Sequence, residues 1–209
     1  MLSPAQLLKG YARGVFPMAD SAGDPRLYWY DPPYRGVLPV GGVHASRSLL
    51  RDLRRGDWSA LLNHDFDAVV AACADREDTW INAPLSQLYR QLHQLGHAHA
   101  IEVRRNDRFA GGIFGVTLGG AFFGESMVSA QTNGSKMALL WTSSHLARSG
   151  FTLFDTQYLT PHLKRMGGSE ITREDYRKRL AAALRSDVSF GALPLPDADQ
   201  LSQEITQTS

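Results

Sequence analysis

The period of the hydrophobic pattern changes abruptly near residue 98, and that change limits the fold more than any other feature of the chain. The runs Ala98–Arg105, Arg108–Thr117 and Ala121–Ser129 have strand composition, and the links between them are only Asn106-Asp107 and Gly119-Gly120. Links of this length and type supply the positive φ that tight hairpins need, so the three runs predict an antiparallel meander. Helical patterns precede it. Ser3-Pro4 followed by Leu7, Leu8 and Tyr11 predicts a capped short helix ending near Gly14. Residues 16–42 are dense in Pro, Gly and aromatics and read as an irregular packed segment with short strands at most. Ser46 or Ser48 can cap a helix through Arg55, Asp65 can cap one through Cys73, and Pro84 to Leu95 predicts another, stopped by Gly96.

After the meander, Ser135–Ser149 predicts a helix closed by Gly150, and Thr152–Gln157 a buried strand. Thr160-Pro161 opens a short helix, and Thr172-x-x-Asp175 is a capping box for a helix reaching about Arg185. From Leu193 the chain is polar, holds two prolines, and is expected to fray. A meander followed by helix, strand and helix predicts an α+β fold with a mixed, largely antiparallel sheet flanked by helices. GNAT-like acyltransferases share that order.

Composition narrows the function classes. With 209 residues, 43% hydrophobic, the chain can bury one ordinary core, or a core with a small appendage. No stretch approaches the ~20 apolar residues of a membrane span, and the first residues lack a basic leader followed by an apolar run. A single cysteine, Cys73, excludes a disulfide framework and a cysteine-based zinc site, so a reduced, cytoplasmic protein is expected. The net charge of +1 hides an uneven distribution. Residues 186–209 hold Asp187, Asp197, Asp199 and Glu204 and no Lys or Arg, which leaves the rest of the chain at +5. Arg also greatly outnumbers Lys, and its planar fork suits phosphate and carboxylate.

Three constellations can carry chemistry. Gly124-Glu125-Ser126 ends a predicted strand, and Asn133-Gly134-Ser135-Lys136 opens a helix; together they can orient an amine or an anion, or serve only as a turn and a cap. In Phe154-Asp155-Thr156-Gln157, strand alternation places the acid and the amide on one face, as a site or as a buried hydrogen-bond network. Arg47, Arg51, Arg54 and Arg55 recur at helical spacing, which suits phosphate contact and also suits a solvated face. His93, His97 and His99 lack a carboxylate at ligand spacing, so no metal is expected. No Walker, dinucleotide or Gly-x-Ser-x-Gly motif is present.

Longer ordered motifs then accumulate: Leu7-Leu8-Lys9-Gly10-Tyr11-Ala12-Arg13-Gly14-Val15-Phe16-Pro17-Met18, Arg35-Gly36-Val37-Leu38-Pro39, His44-Ala45-Ser46-Arg47-Ser48 and Thr79-Trp80-Ile81. They are followed by Leu92–His99, Gly124-Glu125-Ser126-Met127, Ser135–Leu139 and Asp155–Leu163. In this order and spacing, from about residue 3 to 185, the chain closely resembles the leucyl/phenylalanyl-tRNA–protein transferase family. The resemblance implies a small N-terminal domain over residues 1–35 and a GNAT-like aminoacyltransferase domain over 36–209, with the polar tail from about 186. It implies a monomeric bacterial cytoplasmic enzyme that uses no cofactor. Such an enzyme moves Leu or Phe, sometimes Met, from Leu-tRNA or Phe-tRNA to proteins with N-terminal Arg or Lys, marking them for N-degron proteolysis.

Residue by residue, the family's functional acid falls on Glu125 and its Asp-x-Gln pair on Asp155 and Gln157. Its aminoacyl pocket falls on Met18, Ile113, Phe122, Gly124 and Phe154, and its tRNA-binding basic positions on Arg47, Arg51, Arg54 and Arg55. Arg104 stands where many members have Trp and Met18 where some do, and both positions border the family's aminoacyl pocket. The departures therefore bear on the choice between Leu and Phe. Gly134 replaces a frequent Ala. Two other readings stay in view: an acyl-CoA N-acyltransferase, which would want a Gly-rich pyrophosphate loop where Gln131–Ser135 is a poor match, and a tRNA or peptide adaptor without catalysis.

Overall fold

The computed structural model describes residues 2–55, 57–76 and 79–208. The predicted meander is present as β5 (Ala98–Arg105), β6 (Arg108–Leu118) and β7 (Ala121–Ser129). Its hairpin residues Asn106, Asp107 and Gly119 all have positive φ. Around this meander lie β4 (Trp58–Leu62), β8 (Leu153–Gln157), β3 (Tyr34–Leu38) and β9 (Ser169–Thr172), in the order β4-β5-β6-β7-β8-β3-β9. Every pairing in this seven-stranded sheet is antiparallel except β7 with β8. A parallel pair needs a crossover, and α5 (Gly134–Arg148) supplies it. The short ribbon β1 (Phe16–Met18) with β2 (Tyr28–Tyr30) stands apart from the sheet.

Both faces of the sheet are covered. On one side α5 packs with α2 (Arg47–Leu53) and α8 (Ala198–Thr208) around Leu49, Leu53, Met137, Trp141, Leu201 and Ile205. On the other, α1 (Pro4–Ala12), α3 (Phe66–Ala74), α4 (Ala83–Gln94) and α7 (Arg173–Ala183) pack through Leu7, Tyr11, Val69, Leu88, Tyr89, Tyr176 and Leu180. The N-terminal residues thus share a core with the sheet. A further short helix, α6 (Pro161–Arg165), follows β8. The caps lie where the sequence places them: Ser3, Ser46, Asp65, Thr160 and Thr172 each accept from a backbone N–H of the first turn.

The expected frayed tail is instead the amphipathic helix α8, with Leu201 fully buried and Ile205 nearly so. Ahead of it, Phe190 enters the same core and the Pro196 carbonyl accepts from Trp141 Nε1 at 2.9 Å. The strands β4 and β9 are too short and too weakly alternating to show in the sequence, and pairing along the sheet edges creates them. Gly134 also has a structural reason. A Cβ there would overlap the Ala110 carbonyl oxygen, so the glycine lets the start of α5 sit directly on β6.

Candidate active site

Among the described residues, two of the three register shifts in the sheet lie at neighbouring points. Between β6 and β7 the register shifts so that Glu125 is the extra residue between the pairs Gly115↔Gly124 and Phe114↔Ser126. Between β3 and β8 it shifts so that Thr156 is extra between Val37↔Asp155 and Gly36↔Gln157. The parallel pairing of β7 and β8 stops at Phe123↔Asp155. Beyond that point the two strands no longer bond, and the bulges re-aim their side chains into the gap. The gap is a cleft of about 230 Å³ lined by Met18, Trp80, Ile113, Met127, Leu139 and Leu163. Its polar lining comes from Arg76, Glu125, Ser126, Thr156 and Gln157. A larger cleft of about 530 Å³ beside α4, lined by Leu2, Pro25, Leu27, Trp29 and the amides Gln87 and Gln91, offers no ionisable side chain among the described residues.

Glu125 is 8% exposed. Its Oε1 accepts from Tyr11 and its Oε2 from Tyr89, both at 2.7 Å. Burial outweighs these two donors and pushes its carboxyl up to about 7, and burial beside Glu125 holds both tyrosine hydroxyls well above their ordinary range. Gln157 ends β8 with φ of +57°, a left-handed conformation that costs a residue with a Cβ about 1–3 kcal/mol. Its amide nitrogen donates to the carbonyls of Thr156 (3.0 Å) and Gly124 (2.9 Å). The amide oxygen then faces Glu125 Oε1 at 3.4 Å.

Asp155 is fully buried beneath them. It accepts from Arg35 Nε (2.9 Å) and Nη2 (2.7 Å), from the Tyr176 hydroxyl (2.7 Å) and from the Gln157 backbone N–H (2.8 Å). The shared face that simple alternation predicted for the acid and the amide is not formed: the bulge at Thr156 breaks the alternation, so Asp155 is buried while Gln157 lines the cleft.

Of the expected pocket residues, Met18, Ile113 and Gly124 line the cleft. Phe122 and Phe154 stand one layer behind, packed edge to face, and a Cβ on Gly124 would sit 3.1 Å from Phe154 Cε2. Arg104 does not border the cleft. It pairs with Glu102 at 2.6 Å beside the edge strand β4, opposite Ser59. Arg47, Arg51, Arg54 and Arg55 are all exposed. Arg54 is nevertheless engaged, donating to Ser202 (2.8 Å) and Thr206 (3.0 Å) on α8.

Sequence reasoning missed Tyr89, Arg35 and Tyr176 as neighbours of the site, and read Tyr11 only as part of a helix face. A tyrosine at core spacing looks like core until its hydroxyl meets a carboxylate. Arg76 was also missed; it lines the cleft, with Nη2 donating to Ser126 Oγ at 2.8 Å. No group of three or more His, Cys, Asp or Glu placed to hold a metal occurs among the described residues.

Comparison with known proteins agrees across the chain. A family model described as leucyl/phenylalanyl-tRNA protein transferase matches residues 37–181, and one described as the N-terminal domain of that transferase matches residues 1–33. The leucyl/phenylalanyl-tRNA–protein transferase of Paracoccus denitrificans is 60% identical over 208 residues, covering 100% of this chain and 98% of the relative. Those of Cereibacter sphaeroides ATCC 17025 and Ruegeria pomeroyi are 52% and 48% identical, again over 100% of this chain and 98% and 99% of the relatives.

Proposed function

The chain belongs to the leucyl/phenylalanyl-tRNA–protein transferase family, and on that footing we propose that the cleft between the diverging ends of β7 and β8 is where the aminoacyl ester is opened. The protein is an aminoacyltransferase that moves Leu or Phe from its tRNA to the N-terminus of a protein. The apolar wall of Met18, Ile113, Met127 and Leu139 takes the transferred side chain, with Phe122 and Phe154 backing it. Met, being unbranched, fits the same wall. Arg47, Arg51 and Arg55 meet the tRNA backbone. The acceptors are proteins with N-terminal Arg or Lys, and the cytoplasmic monomer thereby marks them for N-degron proteolysis.

The reaction is aminolysis. The acceptor's neutral α-amine attacks the aminoacyl carbonyl, and the terminal ribose oxygen leaves with a proton. An α-amino group has a pKa of ~8, so roughly a tenth is already neutral at pH 7 and no strong base is required. Positioning then supplies much of the rate. The amide oxygen of Gln157 accepts a hydrogen bond from the attacking amine and holds it in line. Glu125, beside it, supplies an acid that favours the acceptor's cationic end. An activated ester needs no cofactor for this step.

The observation that carries this reading is the convergence of Glu125 and Gln157 on an apolar cleft at two adjacent bulges. Single-turnover transfer of labelled Leu from charged tRNA to an Arg-initiated peptide tests it. Gln157→Ala is expected to slow transfer about a hundredfold, and a wild-type rate would remove the site from the cleft. Acetyl-CoA offered in place of the charged tRNA is expected to leave the peptide mass unchanged.

A further inference from the structure

The side chain of Asp155 has no lone pair left for substrate. A carboxylate offers about four acceptor sites, and here four donors occupy them: Arg35 Nε and the Gln157 N–H on Oδ1, Arg35 Nη2 and the Tyr176 hydroxyl on Oδ2. The residue is fully buried, so no substrate atom approaches it. It therefore neither takes a proton from the amine nor meets the charge that develops there.

Its partner is held just as firmly. Arg35 is 1% exposed, and its guanidinium carbon lies over the rings of both Phe16 and Tyr176, 4.4 Å from each centroid. Its Nη1 donates to the Gly14 carbonyl at 3.0 Å and its Nη2 also reaches the Tyr176 hydroxyl at 3.2 Å. An isolated buried charge pair costs more in desolvation than it returns unless its geometry is good and further hydrogen bonds serve it; here the contact is two-pronged and four of the five guanidinium N–H groups donate. The far end of this chain of contacts is the Gln157 backbone, whose left-handed φ of +57° needs an external restraint.

We propose that Arg35 and Tyr176 are positioning residues for aminoacyl transfer: they lock the Asp155 carboxylate, which grips the Gln157 N–H and holds that residue in the strained conformation that aims its amide into the cleft. Phe16, on the N-terminal ribbon, and Tyr176, on α7, each lay a ring against the Arg35 guanidinium. The strand bulge at Thr156 sets where Gln157 emerges, and these contacts set how its backbone turns. This rests on the reading of Gln157 as the group that meets the amine.

A double-mutant cycle on single-turnover transfer, at saturating Leu-tRNA and with the folded fraction measured, tests it. Arg35→Lys, which keeps the charge and loses the two-pronged grip, is expected to slow transfer about tenfold or more with unchanged affinity for Leu-tRNA. Tyr176→Phe keeps the ring over Arg35 and loses one hydroxyl, and is expected to slow transfer several-fold. In the Gln157→Ala background either change has less than about a twofold further effect, because each acts through Gln157. Equal fold-losses in both backgrounds, or wild-type rates for both single variants, overturn the proposal. Tyr176→Phe carries the test alone if Arg35→Lys does not fold. If Gln157→Ala itself transfers at the wild-type rate, the reading of the site falls and the proposal with it. If Gln157→Ala is slow but the losses multiply, the proposal alone falls.

Discussion

Glu125 carries an ionisable group to a place that water scarcely reaches, and its stability consequence follows in sign from its pKa. The carboxyl titrates at about 7 in the fold against an ordinary 4.5, so the folded protein binds the proton more tightly than the unfolded chain. Its contribution is fully favourable below the ordinary value and is lost as pH rises through 7. The span corresponds to about 3 kcal/mol. Buried His99, held down to about 4 by desolvation, pulls the opposite way, since the fold favours its neutral form. Glu125 is therefore isolated by difference. Urea unfolding at pH 5 to 8 is expected to show wild type losing stability relative to Glu125→Gln as pH rises. Parallel curves would mean the carboxyl is not held in this state. The type and place of Glu125 were legible in the sequence, but its tyrosine partners were not, because they arrive from α1 and α4, more than thirty residues away in each case.

At the level of elements, α8 shows how a helix escapes a sequence reading. Its composition is polar and it follows Pro194 and Pro196, so propensity gives it little support. A helix this short is marginal by itself and is stabilised mainly by burying an apolar face. Leu201 and Ile205 supply that face at i, i+4 spacing, and the groove between α2 and α5 receives it. Leu201→Ala is expected to cost about 2–4 kcal/mol in chemical denaturation, whereas a frayed tail would give no change. The meander and the capped helices were legible because each rests on local chemistry: positive-φ turns, side-chain caps and alternation.

For the whole molecule, a net charge of +1 averages over two regions that the fold sets side by side. The acidic tail packs against the arginine helix, and Ser202 and Thr206 take two of the donors of Arg54. Among the described residues, Arg47, Arg51 and Arg55 have no ion-pair partner and stay exposed. Arg47→Ala and Arg51→Ala are each expected to weaken charged-tRNA binding and lower the slope of log affinity against log salt by about 0.7–0.9. Arg54→Ala is expected to change that slope less and to loosen α8. Equal slopes for all variants and wild type would make α2 an ordinary solvated helix.

The sequence by itself determined the α+β class, the antiparallel meander, the caps, the arginine periodicity and the identity of Glu125, Asp155 and Gln157 as unusual residues. All of these depend on neighbours within a few positions or on patterns along one element. Tertiary structure decided the roles. Asp155 and Gln157 are two residues apart, yet pairing with β3 and the bulge at Thr156 send one into the core and the other into the cleft. Which side a bulged strand presents, and which distant Arg or Tyr saturates a buried carboxylate, depends on contacts between elements far apart in the chain. No local pattern encodes those contacts.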